Sequence, residues 1–286
     1  MITYGIMQGR LTPPKGRGIQ FFPLDYWDKE FAVCKRLGLD EIEFIFDYDN
    51  YEENPLWTEE GTDRVASLIK ETGVKIKSLC FDYFMRRPFY KYAQSERQAV
   101  REENKAFLLR MFEAMDRLGG ELIEIPAVDD SSLKSDEEKD IYREFLKEIL
   151  AATDEKYHHI RIGLETDLKV RDFVDFIDSV GDQRLGANYD SGNSSGLGYD
   201  LYEEVTGLRH RIFNIHIKDR VYKGTTVALG TGSADFDALF KGLKEIGYDQ
   251  SFIIQAARGD EGREEDTIAI QRDFIREHVK EYGLES

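Results

Sequence analysis

Short apolar runs rich in β-branched residues recur along the chain, and most of them feed a longer segment of helical period. They cover residues 2–7, 41–45, 75–80, 122–125, 161–165, 184–189, 212–217 and 252–255. The segments 60–72, 99–118, 137–153, 170–180, 235–246 and 264–281 place apolar residues at three- and four-residue steps, as in Phe107, Leu108, Met111, Phe112 and Met115. A strand-like run followed by a helical period, repeated along a chain, is the pattern of parallel βα units. Eight such runs predict an α/β fold, a single-domain (β/α)8 TIM barrel over residues 1–286. A doubly wound open sheet is the competing arrangement. The first run, however, lacks the glycine fingerprint that opens a helix onto a dinucleotide.

The loops differ by side. The irregular stretches 12–23, 47–56, 82–94 and 190–198 all follow a run, where a barrel carries its active-site loops. The short turns at Gly38 and Gly247 instead precede runs and carry a helix-stopping glycine. The chemistry is therefore expected at the carboxyl ends of the strands.

Composition narrows the ligand. The 286 residues carry 39 Lys plus Arg against 56 Asp plus Glu, a net charge of −17, with 41% hydrophobic residues to form a core. Such a balance disfavours nucleic acid, which needs clustered cations to displace counterions. Two separated cysteines, Cys34 and Cys80, read as buried thiols in a reducing compartment. No basic-then-apolar leader and no membrane-length apolar run is visible, so the expectation is a cytoplasmic protein with no membrane partner.

Four consecutive runs end in a residue able to bind a divalent cation: Glu165, Asp190, His216 and Gln255. Neighbouring parallel strands lie about 4.8 Å apart, so side chains at equal height converge. Carboxylate, imidazole and amide oxygen together suit one divalent metal ion: Mn, Co, Mg or Zn. Each residue also has a structural alternative: an ion pair for Glu165, a turn cap for Asp190, a core hydrogen bond for His216 and a backbone contact for Gln255. Their placement together favours the metal reading.

The segments Gly163-Leu164-Glu165, Tyr189-Asp190-Ser191-Gly192-Asn193, His216-Ile217-Lys218-Asp219 and Leu229-Gly230-Thr231-Gly232 carry a resemblance over nearly the whole chain. With Gly5 to Arg10 and Gly38 to Glu43, they resemble the xylose isomerase-like TIM-barrel superfamily of sugar-phosphate isomerases and epimerases. The resemblance implies that Glu165, Asp190 and His216 hold one divalent metal ion and that Glu165 is catalytic, moving a proton. It also implies a small-molecule carbohydrate substrate, and a homodimer paired through rim loops. The strand-eight position departs from the family: Gln255 stands where a second proton-transferring Glu is usual. An amide can offer its oxygen to a metal but cannot accept and return a proton near neutral pH.

The expected function is a divalent-metal-dependent sugar or sugar-phosphate isomerase/epimerase acting through an enediolate on a small ketose. Asp82, Asp219 or bound water stand as second proton carriers. The alternatives are a catalytically degenerate barrel serving as a binding protein, and a lyase or dehydratase of the same superfamily. An endonuclease of that superfamily is disfavoured by five histidines in all and the acidic charge. Gln8, Arg10, Asn193, Lys218, Arg220 and Arg258 are the candidate substrate-binding residues, the cations suiting an anionic group. Glu43 and Glu124 are candidates to support the metal ligands from beneath, and Leu229 to Ser233 could offer N–H groups to a phosphate. His158 and His159 fall on the opposite face, as surface residues.

Overall fold

The computed structural model describes residues 2–285. Eight parallel strands close into a barrel: Thr3–Met7, Glu41–Ile45, Ser78–Cys80, Leu122–Ala127, Arg161–Thr166, Leu185–Asp190, Ile212–Ile217 and Ser251–Ile254. They are called the first to eighth strands below. The first strand pairs with both the second and the eighth, so the sheet has no free edge. The (β/α)8 expectation holds over the chain.

Strand interiors are dry on the outer face. Ile42, Phe44, Ile123, Ile125, Ile162, Leu164, Ile215, Ile217, Phe252 and Ile254 are all buried under the helices. Leu108, Met111, Phe112 and Met115 of the helix Gln94–Leu118 cover them on one side; Leu239, Phe240 and Leu243 of Phe236–Ile246 do so on another. The helices start and stop where side-chain chemistry dictates. Ser135 and Glu138 form a reciprocal capping box at the start of Asp136–Tyr157. Gly247 takes φ 68° to end its helix, as the turn before the eighth strand requires.

Element types match expectation, while several ends differ. The third strand is only Ser78–Cys80, joined upstream by one bridge from Lys75 to Glu41. The helices Lys29–Arg36, Ser191–Leu197 and Leu201–Leu208 run for only about two turns, too short to show a period, and Ser191–Leu197 is also rich in residues that suit loops. The rim aromatics mostly pack under loops: Tyr83 stacks among Phe46, Phe81 and Phe107, while Phe84 and Phe89 pack with Tyr90.

The barrel interior is unusual in its polarity. A layer of branched aliphatic residues is the common filling; here Glu43, Ser78, Glu124, Asn188, Asn214 and His216 are buried together. A register shift between Ala187 and Asn188 sets the sixth strand so that Asn188 faces Asn214 and Asp190 faces His216. That single irregularity brings the would-be ligands to one height.

Candidate metal and substrate site

Glu165, Asp190 and His216 each offer one ligand atom, and the three atoms lie within 4.8 Å of one another. His216 is fully buried, with Nε2 2.6 Å from Glu43 Oε1 and Nδ1 3.3 Å from Glu165 Oε2. Both ring nitrogens thus face carboxylates, and Glu43 holds the Nε2 side so that Nδ1 points at Glu165. This is the carboxylate-oriented arrangement of metal-binding histidines. Burial works against charging His216, yet Glu43 and Glu165 hold its pKa well above the usual range. Glu43 is in turn fixed by Ser78 Oγ at 2.6 Å and Asn214 Nδ2 at 2.8 Å. The expectation that Glu43 supports the site from beneath fits this contact.

Glu165 is held ionised. Burial raises its pKa, but His216 and Lys218 outweigh burial and leave it below the ordinary carboxyl range. Asn188 Nδ2 donates to its Oε2 at 3.2 Å, and Asn193 Nδ2 donates to its Oε1. Asp190 serves two roles. Its Oδ1 accepts the backbone N–H of Asn193 at 2.8 Å, capping the helix Ser191–Leu197, while its Oδ2 receives Lys218 Nζ at 3.1 Å. The cap that the sequence offered for Asp190 is present, and its second oxygen is left to face the cluster with Glu165 and His216.

Lys218 reaches into the donor set. Its ammonium also donates to Asn193 Oδ1 at 3.1 Å and Gln255 Oε1 at 3.2 Å. Gly192 makes room for it: a Cβ there would fall 2.4 Å from Lys218 Cγ. The oxygens of Asp190, Asn193 and Gln255 thus gather around one cationic group. Glu165, Asp190 and His216 could hold one divalent ion, a donor set of two carboxylates and an imidazole that suits such an ion.

The remaining predicted contacts divide. Arg10 is buried, with Nη2 donating to the Gln255 backbone carbonyl at 3.5 Å and with Nε and Nη1 lacking any partner. Burial and then Arg258 pull its pKa down to about 9, still charged at neutral pH. Gln8 Oε1 accepts Ile45 N at 3.0 Å, and its buried Nε2 has no partner. Arg220 bonds Asn193 Oδ1 at 3.0 Å and the Gly224 carbonyl. Arg258 is engaged with the carbonyls of Gly9, Thr12 and Ile19, strapping down the first loop. Asp219 does not face the site: its carboxylate holds Gly232 N at 2.8 Å and Ala234 N at 3.0 Å, which also occupies part of the glycine loop. It is a loop anchor, because two backbone N–H groups satisfy both of its oxygens. His159 sits outside near Asp116, as expected.

Three contributors were missed in the sequence. Asn188 and Asn214 are inward strand residues whose polarity is a signal that could have marked them, whereas Gln20 lies in a loop with no periodicity at all. Gln20 Nε2 donates to Asp82 Oδ2 at 3.0 Å, and Gln255 Nε2 donates to Gln20 Oε1 at 2.9 Å.

The sequence profile described as xylose isomerase-like TIM barrel matches residues 31–278. The chain belongs to the xylose isomerase-like TIM-barrel family. Among curated members, it is 25% identical over 274 residues to the L-ribulose-5-phosphate 3-epimerase UlaE of Salmonella heidelberg, covering 90% of this chain and 92% of that protein. Among solved xylose isomerase-like barrels, it superposes on the D-allulose 3-epimerase of Methylomonas sp. in complex with D-allulose, with a TM-score of 0.75 and 17% identity over 97% of each chain. The IOLI protein with a bound zinc atom gives a TM-score of 0.74 at 20% identity, over 98% of this chain and 99% of that one. Among the described residues, no helix is long and apolar enough to cross a membrane.

Proposed function

We propose that this protein is a divalent-metal-dependent sugar epimerase, inverting a carbon next to the carbonyl of a small ketose. The observation that carries the reading is the ionised Glu165 within one cation's reach of Asp190 and His216. The names of the relatives, epimerases of ribulose 5-phosphate and allulose, support the same class.

A bound divalent ion would supply Lewis-acid polarisation of the substrate carbonyl, acidifying the neighbouring C–H. Glu165, Asp190 and His216 would hold it. Glu165 then takes the proton as the base, its carboxylate aimed by the amides of Asn188 and Asn193. Lys218 and Asn193 present a cation and an amide to the substrate hydroxyls. Arg10, with two N–H groups unanswered in a buried setting, suits an anionic substituent such as phosphate. Phosphorylated ketoses are therefore favoured over neutral ones.

The test incubates the purified protein and Mn²⁺ with L-ribulose 5-phosphate, L-ribulose and D-allulose, resolving epimers by NMR. Inversion of at least one ketose, fastest for the phosphate ester, is expected. No inversion of any, with no Mn²⁺ bound, would leave a binding barrel as the reading; Gln255 is the residue that favours that outcome.

A further inference from the structure

Inverting a carbon stereochemically needs a proton removed from one face and one delivered to the other. Glu165 serves one face. The residue expected opposite, at the end of the eighth strand, is Gln255, which carries no titratable proton. Gln255 is nevertheless tightly placed. Its carbonyl accepts Lys218 Nζ, its amide N–H donates to Gln20, and Gln20 donates to Asp82 Oδ2. The amide thus acts as a strut ending on a carboxyl group.

That carboxyl group follows the third strand and stands at the start of the short helix Tyr83–Arg86. Its Oδ2 is fixed by Gln20, while its Oδ1 is buried without a partner. The charges of Asp47, Arg10, Glu165 and Lys218 act on it, and the same Gln20 amide that holds it also reaches Cys80 Sγ at 3.9 Å. Burial, then Asp47 and Glu165, push its pKa up to about 6 against the Gln20 hydrogen bond and Lys218. A carboxyl poised near neutrality, with one buried and unpartnered oxygen just past the carboxyl end of a barrel strand, suits proton transfer.

We propose that Asp82 is the second proton carrier, replacing from the third strand the carboxylate absent at Gln255. The inference rests on the epimerase reading above and adds the acid to it. Glu165 removes the proton from one face of the carbon, and the C–H electron pair moves onto the carbonyl oxygen. Asp82, protonated, delivers its proton to the opposite face as that pair returns, leaving Asp82 ionised and Glu165 protonated. Exchange with solvent resets both, and the reverse reaction exchanges the two roles.

The experiment uses Asp82→Asn with Mn²⁺ in D2O, and L-ribulose 5-phosphate, L-ribulose and D-allulose as probes. Loss of interconversion by about 100-fold or more is expected. Deuterium should still enter the epimer whose proton faces Glu165, at a rate within about tenfold of wild type. Formate should partly restore inversion to Asp82→Ala, and Mn²⁺ affinity should stay within about threefold in both variants. Inversion by Asp82→Asn at near wild-type rate overturns the assignment while leaving the epimerase reading intact. So does loss of exchange at both faces, or absence of rescue. A wild-type protein that neither inverts nor exchanges any probe overturns both.

Discussion

Lys218 Nζ donates to Gln255 Oε1 at 3.2 Å, so the residue that departs from the family pattern is the partner of a half-buried cation. The same ammonium neutralises Asp190. Relative to a strand-eight carboxylate, Gln255 takes one negative charge away from the oxygens that share this lysine. On the proposed function, cation affinity and proton traffic are both altered at this one point.

Gln255→Glu should therefore tighten Mn²⁺ binding by about tenfold or more, because a hard cation gains a charged oxygen. The same change breaks the strut, since a carboxylate cannot donate to Gln20 Oε1. Turnover should fall rather than rise. Isothermal titration beside a rate assay checks the pair; weaker metal binding, or faster turnover, contradicts it.

Gly192→Ala should displace Lys218, its new Cβ meeting the side chain at 2.4 Å. Two like-signed charges repel at short range, so moving the ammonium away favours a divalent ion. Mn²⁺ affinity should rise about threefold or more in Gly192→Ala, and further in Lys218→Met. Unchanged affinity in both variants would show that lysine and metal do not share donors.

The first loop depends on Glu30. Its carboxylate accepts Gly9 N at 2.8 Å, Leu11 N at 3.1 Å and Thr12 Oγ1 at 2.9 Å, all buried. Glu30→Ala strands these donors and should cost about 2–4 kcal/mol of stability. Limited proteolysis should begin within residues 8–22, next to Gln20 and Arg10. Resistance equal to wild type counts against the anchoring role.

Eight runs were enough to read the barrel, since the 3.6-residue period of segments such as 99–118 survives any end error. The clustering of Glu165, Asp190 and His216 was legible for a related reason: strand ends of equal height converge whatever the loops do. The helix Lys29–Arg36 was not legible, and with it Glu30 was missed, because a two-turn helix leaves little periodicity. Gln20 and the Asp219 anchor depend on loop geometry, which no local pattern encodes. Asp190 is the instructive case, as the cap occupies only one of its two oxygens and leaves the other to a charged partner.

Stability should fall from mildly acidic to alkaline pH. Burial raises the Glu204 carboxyl from 4.5 to about 7, against hydrogen bonds from Ser194 and Tyr189. A raised carboxyl pKa means the folded chain holds the proton more tightly, so its contribution is full below 4.5 and lost as pH rises through about 7. The shift corresponds to roughly 3 kcal/mol at most for this group. Thermal melts from pH 5 to pH 8 should show a falling Tm, with a shallower slope in Glu204→Gln. A Tm that rises over this range, or a variant with an equal slope, contradicts the assignment.

Glu165 is the group on which the functional account turns, and deuterium incorporation reads its action directly. With Mn²⁺ and L-ribulose 5-phosphate in D2O, the wild-type protein should place deuterium on the carbon beside the carbonyl. Glu165→Gln should slow this by about 100-fold or more. Equal incorporation by Glu165→Gln, or none by the metal-loaded wild type with any of the three ketoses, would contradict it.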